Sequence, residues 1–168
     1  VVVQFGDTPP VLRNAIVAVE DADFWKHIGI NPWRVPGAAI ANLRSGRYSQ
    51  GFSTLTMQLS RLLFLTPEKT PERKIKEIIL AFQIEKNFTK EEILTLYCNQ
   101  VYFGHGNYGV EAASRFLFGK AVKDLTPEEA ALVAGTAQSP IRQSPVENPE
   151  RALQRRNHVL DRMAEEKY

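Results

Sequence analysis

Little in this chain of 168 residues is one-sided. Its 21 Lys and Arg stand against 19 Asp and Glu, a formal net charge of +2. That is too small for the dense basic face that nucleic-acid backbones demand, so nucleic acid is not an expected partner. The single cysteine, Cys98, excludes an intramolecular disulfide; lying in the apolar run Ile93-Leu94-Thr95-Leu96-Tyr97-Cys98, it reads as a small core residue. The histidines His27, His105 and His158 are widely spread and Cys98 has no partner at ligand spacing, which argues against a zinc-type site. No stretch approaches the roughly 18 to 20 apolar residues of a membrane-spanning helix, and Val1-Val2-Val3-Gln4 lacks the charged start of a signal peptide. Any membrane anchor of the natural protein is therefore expected outside these residues. Alternating β-type runs are scarce, with only Val1-Val2-Val3-Gln4-Phe5 reading as extended, and there is no internal repeat or low-complexity tract.

What is present points to helices. A composition of 43% hydrophobic and 24% charged residues fits one globular domain, 1–168, with a real core. A capping residue precedes proline at Thr8-Pro9, Asn31-Pro32, Thr70-Pro71, Thr126-Pro127 and Asn148-Pro149, a pairing suited to a helix start. Capping boxes stand at Thr89-Lys90-Glu91-Glu92 and Thr126-Pro127-Glu128-Glu129. Helical spacing of apolar residues follows, as in Ile75, Ile78, Ile79 and Phe82, and in Leu153, Val159, Leu160 and Met163. The expectation is a mostly α-helical fold of roughly eight or nine helices. Residues 31–50, with Trp33, Pro36, Gly37, Gly46 and Tyr48, look unlike helical core, and Tyr102 to Gly109, with three glycines, reads as a loop between helices.

Three clusters carry candidate chemistry. Glu20-Asp21-Ala22-Asp23-Phe24-Trp25-Lys26-His27-Ile28-Gly29 brings acids, aromatics, a histidine and a glycine together at the end of the first helix. Taken alone, solvated acids and a capping histidine explain it, although acids at a helix C-terminus oppose the macrodipole. Gly51-Phe52-Ser53-Thr54 runs into a helix that Ser53 or Thr54 can cap, leaving backbone amides directed at an anion. Thr54, Gln58 and Arg61 share a face of that helix, and an ordinary polar face explains them equally well. In Arg73-Lys74-Ile75-Lys76-Glu77, an ion pair one turn apart on a solvated face is the default explanation. Together the clusters supply separated carboxylates, cations and hydroxyls, the groups needed for chemistry on a sugar with a phosphate leaving group. Arg155-Arg156 on the last helix reads as structural, bracing carboxylates or helix ends.

These residues, in this order, resemble the family 51 glycosyltransferases, the polymerase modules of class A penicillin-binding proteins and monofunctional transglycosylases. The first family motif matches Glu20, Asp21, Phe24, His27 and Gly29. The second is similar to Gly51-Phe52-Ser53-Thr54-Leu55-Thr56-Met57-Gln58, with Leu55 for isoleucine, Met57 for a glutamine, and Arg61 where lysine is usual. The third is Arg73-Lys74-Ile75-Lys76-Glu77. The fourth resembles Lys90 to Asn99, with Thr95 for glutamate and Cys98 for leucine, and the fifth is Arg155-Arg156-Asn157-His158-Val159-Leu160.

The resemblance implies a lysozyme-like helical head beside a smaller, membrane-associated jaw lobe at about 31–50, where Trp33, Val35, Ile40 and Leu43 are candidates to touch lipid. It implies an inverting transferase that polymerises a lipid-linked disaccharide-peptide (lipid II) onto a growing glycan strand at the extracytoplasmic face of the bacterial cytoplasmic membrane. An N-terminal anchor and a C-terminal transpeptidase domain would lie outside the chain. Glu20 would be the base and Glu77 the second catalytic carboxylate. Asp21, Phe24, His27, Ser53, Thr54, Gln58, Arg61, Arg73 and Lys74 would contact or support substrate, with Phe24 and His27 orienting the Glu20 loop. No cofactor is obligatory; a divalent ion such as magnesium or manganese, with Glu77 as its ligand, is left open. A lysozyme-like hydrolase or lytic transglycosylase, and a non-catalytic scaffold, are the competing readings.

Overall fold

The computed structural model describes residues 1–32, 53–66, 68 and 70–168. Residues 33–50 of the expected jaw, with Trp33, Val35, Ile40 and Leu43, lie outside the described residues, as do Gly51 and Phe52. Among the described residues there are seven α-helices: α1 (Pro10–Glu20), α2 (Leu55–Phe64), α3 (Pro71–Asn87), α4 (Lys90–Gln100), α5 (Val110–Phe118), α6 (Pro127–Ala137) and α7 (Pro149–Glu165). Two 3-10 turns, Phe5–Asp7 and Val122–Asp124, complete the regular structure there. The fold is mostly α, as the spacing predicts. The only pairing of β type among the described residues is an isolated bridge between Tyr102 and Tyr108.

Local chemistry sets the helix ends. Thr70 and Thr126 cap α3 and α6, each accepting an amide three residues on, at 3.1 Å from Arg73 and 3.4 Å from Glu129. Glu129 and Glu92 close their boxes by accepting the Thr126 and Thr89 amides at 2.8 and 2.7 Å. The other cap–proline pairs behave differently. α1 starts one residue later than Thr8-Pro9 implies, with Pro9 at the cap position, and the Thr8 hydroxyl donates to the Gln4 carbonyl instead. Asn31 is spent on Asp23 at 2.9 Å. Asn148 precedes α7 as expected, but its amide donates to the Ile141 carbonyl rather than capping. At the N-terminus the expected extended run ends early, because Phe5 already begins a 3-10 turn closed by Asp7 accepting the Gln4 amide.

The chain divides into two compact units, residues 1–22 with 94–168, and residues 23–93. In the first, α1, α6 and α7 pack on one another and α5 leans on α6. Its core is formed by Leu12, Ala15 and Ile16 of α1, Ala130, Ala131, Val133 and Ala134 of α6, and Ala152, Val159 and Met163 of α7. Ala152 takes the inward place expected of Leu153, which is exposed. The alanine-rich α6 lets its neighbours approach closely, and at Gly135 a Cβ would meet Arg155 Cγ at 3.0 Å. Asn99 pins the N-terminal segment by exchanging two 2.9 Å hydrogen bonds with the Val3 backbone. Tyr102–Gly109 is the expected loop between α4 and α5, and Gly104, Gly106 and Gly109 all have positive φ.

In the second unit α2 packs on α3. Leu55, Met57 and Leu59 of α2, Ala81 and Ile84 of α3, and Phe24 are buried. The apolar spacing on α3 does not mark its buried side: Ile75, Ile79 and Phe82 are exposed, whereas Glu77 is fully buried. A carboxylate occupies the inward position because cations meet it there. Gly29, at φ +101°, approaches the Ala81 carbonyl so closely that a Cβ would lie 3.1 Å from it.

Candidate active site

Glu20 is the last residue of α1, and the turn is closed by the Asp21 amide donating to the Val17 carbonyl at 2.9 Å. Its side chain is 12% exposed, and Arg155 Nη2 of α7 lies 3.9 Å from its Oε1. Arg155 reaches it over Gly135, whose missing side chain leaves room for the aliphatic stem. Burial pushes the Arg155 pKa below its ordinary value, and Glu20 opposes that shift. The expectation that the paired arginines brace carboxylates is met at Arg155; Arg156 instead forks onto Asn157. Asp21 is wholly buried beside Glu20 in sequence.

In the second unit, the segment after Asp23 is held from several sides. Phe24 is fully buried, edge-on to Trp25 and His27, with the Lys90 ammonium 4.5 Å above its ring. Lys90 also pairs with Glu85 at 2.7 Å, and Glu85 accepts from the Thr56 hydroxyl at 2.6 Å. His27 Nδ1 accepts the Gly29 amide at 3.1 Å, and the Gly29 carbonyl accepts from Thr54 Oγ1 at 2.5 Å. His27 and Phe24 are thus tied into the packing of this segment. Thr54 is also structural: buried, it caps α2 by accepting the Met57 amide at 3.2 Å while donating to Gly29. Gln58 is half-buried in the first turn of α2.

Glu77 organises the strongest charge cluster. Lys74 Nζ lies 2.9 Å from its Oε2, and Arg73 Nε lies 3.2 Å and Arg61 Nη1 3.9 Å from its Oε1. Lys74 donates as well to Ser53 Oγ at 2.6 Å. The carboxylate is completely inaccessible, while Arg73, Lys74 and Arg61 are 14%, 26% and 37% exposed. One buried negative charge thus fixes three positive ones whose outer faces meet solvent. The cluster keeps an excess of positive charge in a fixed array, an arrangement suited to an oligoanion. It does not suit a divalent cation, because both Glu77 oxygens already face cations. No group of three or more His, Cys, Asp or Glu at ligand spacing occurs among the described residues.

Among the described residues the structure is helical, with a braced glutamate at the end of α1 in one unit and, in the other, a buried glutamate gathering Arg and Lys, groups suited to acid–base chemistry and to anion binding. Comparison with known proteins identifies the family. Residues 1–164 match the family model described as Transglycosylase. The chain is 53% identical over 166 residues to penicillin-binding protein 1A of Aquifex aeolicus, covering 99% of this chain and 23% of that protein. It is 48% identical over 162 residues to the Vibrio cholerae protein of the same name, covering 96% and 20%. A crystal structure of penicillin-binding protein 1A from Haemophilus influenzae is similar in fold, with a TM-score of 0.57 and 25% identity, covering 100% of this chain and 15% of that one. The chain belongs to the transglycosylase family, the family 51 glycosyltransferases. It spans about a fifth of the length of the curated relatives it matches.

Arg155, legible in sequence only as a brace for some carboxylate, is brought against Glu20. Its signal was present, since the family's fifth motif contains it, but the motif does not state which carboxylate it serves.

Proposed function

We propose that the chain is an inverting glycosyltransferase that polymerises a lipid-linked GlcNAc-MurNAc-peptide precursor, lipid II, into peptidoglycan strands. The observation that carries this reading is the Glu77 cluster: Arg61, Arg73 and Lys74 are held as a fixed array of cations. A leaving diphosphate needs such an array, whereas the sugar leaving group of a glycosidase does not.

In the proposed reaction Glu20 accepts the proton of the acceptor 4-hydroxyl as that oxygen bonds to the donor anomeric carbon. The bond from that carbon to phosphate oxygen breaks, and the electron pair leaves with the polyprenyl diphosphate. Arg61, Arg73 and Lys74 stabilise the charge as it accumulates, and Ser53 and Gln58 hold phosphate or sugar oxygens. Thr54, His27 and Phe24 act by positioning. Glu77 acts by holding the cations, so no step is routed through a metal ion. Asp21 places a second acid beside the base.

The working place is the extracytoplasmic face of the bacterial cytoplasmic membrane, where the lipid-linked donor and acceptor are held. No helix among the described residues is long and apolar enough to cross that membrane.

The test is incubation with labelled lipid-linked disaccharide, followed by muramidase digestion. Polymer that muramidase returns to disaccharide units supports the reading. Cleavage of preformed glycan without polymer would favour a hydrolase, and binding of precursor without turnover would favour a scaffold.

A further inference from the structure

The first unit contains a concavity of about 640 Å³ between the segment after α6 and the start of α7. Arg142, Arg151 and Arg155 line it together with Gln138, Gln143 and Gln154, and none of its lining residues is acidic. Arginine stays charged under all ordinary conditions, so three full positive charges converge on one basin. Acidic partners are lacking for two of them: neither Arg142 nor Arg151 makes an ion pair or a side-chain hydrogen bond among the described residues. The third, Arg155, meets Glu20 only at 3.9 Å. Its Nε and the side-chain oxygen of Gln143 are buried without a hydrogen-bond partner. Buried polar atoms in native proteins are nearly always satisfied, so the orphaned Arg155 donor beside a charged basin points to a missing acceptor, whereas the Gln143 oxygen, itself an acceptor, would not meet an anion.

We propose that this basin is an anion-binding site that takes a carboxylate or a phosphate group. Guanidinium groups present paired donors that match both oxyanions, and the glutamine amides add neutral donors beside them. The Glu77 cluster belongs to the other unit. The proposed site is linked to Glu20 through Arg155, which lines the basin and whose Nη2 lies 3.9 Å from the Glu20 carboxylate. An anion accepting from Arg155 competes with Glu20 for that cation, so occupancy raises the proton affinity of Glu20. Only the identity of the natural anion rests on the proposed function: the precursor offers carboxylates on its peptide and phosphates on its lipid link.

The test follows the Arg155 Nε–H resonance in arginine-labelled protein during titration with three probes. These are an acetylated dipeptide with a free carboxylate, the same dipeptide as its C-terminal amide, and inorganic pyrophosphate. The site predicts a saturable shift with the free carboxylate, with pyrophosphate, or with both, and none with the amide. A response to the dipeptide alone assigns the site to the peptide, and a response to pyrophosphate alone assigns it to the diphosphate. R142Q and R151Q, at exposed positions, should each weaken binding about tenfold, the expected loss of a charge-assisted contact, while the Arg73 resonance responds as before. No saturable shift with either anion, an equal shift with the amide, or binding indifferent to both substitutions overturns the proposal. The readout needs no turnover, so failure of the proposed polymerisation and failure of this site are told apart.

Discussion

At the scale of single residues, the decisive finding is that burial reversed the ordinary explanation of a charged motif. The spacing of Arg73 and Glu77 is legible in sequence, and a solvated pair contributes only a few tenths of a kcal/mol. The structure instead buries Glu77 completely beneath Arg73, Lys74 and Arg61. Removing one side of a buried pair strands charge, so Glu77→Gln should lower unfolding free energy by about 3 kcal/mol or more in urea titration; a loss below about 0.5 kcal/mol would return the cluster to the surface-pair class. Cys98 was legible as core from its apolar run. Burial pushes its thiol from 9.0 up to about 12, only partly offset by Arg13. The folded state therefore holds the proton more tightly than the unfolded state. This contribution to stability is full below pH 9.0 and is lost as pH rises toward about 12. Native protein should accordingly resist iodoacetamide at pH 8 and react once unfolded. The pairing of Arg155 with Glu20 was not legible, because nothing local to either residue specifies a partner so far along the chain.

At the scale of elements, caps were read well where the side chain had no better partner. Thr70, Thr89 and Thr126 cap as predicted, whereas Thr8, Asn31 and Asn148 are claimed by the Gln4 carbonyl, Asp23 and the Ile141 carbonyl. Thr126→Ala should cost about 1 kcal/mol in thermal or urea unfolding. Glu129 closes that box, and hydrogen bonds from Lys120 and Thr126 hold its pKa below the ordinary 4.5. Its share of stability is present above that value and fades as pH falls through the depressed folded pKa, so the cost of Glu129→Gln should shrink at acid pH. The α3 stripe failed as a guide because periodicity reports that a face exists and not which neighbour covers it. Ile79→Ser should therefore change stability by less than about 0.5 kcal/mol. Gly109→Ala should be costly: its φ is +83° and a Cβ would lie 2.9 Å from the Asn99 carbonyl oxygen. A loss of about 1 kcal/mol or more is expected in the same unfolding measurement.

At the scale of the whole molecule, helical class and family were both readable, the first from caps and spacing and the second from the order of the motifs. The boundaries of the two units were not legible, since only residues 31–50 stand apart in composition, whereas the second unit runs from 23 to 93 and α4 belongs partly to each. Family membership does not by itself identify the base. Glu20 holds that place in the account because it ends α1 with its carboxylate largely shielded and braced by Arg155, whereas Glu77 is committed to holding cations. The most direct measurement is polymerisation of labelled lipid-linked disaccharide by the native protein and by Glu20→Gln, with circular dichroism to confirm that both are folded. The account predicts muramidase-sensitive polymer from the native protein and a rate at least about a hundredfold lower from Glu20→Gln; a folded Glu20→Gln protein that polymerises at a comparable rate would contradict it.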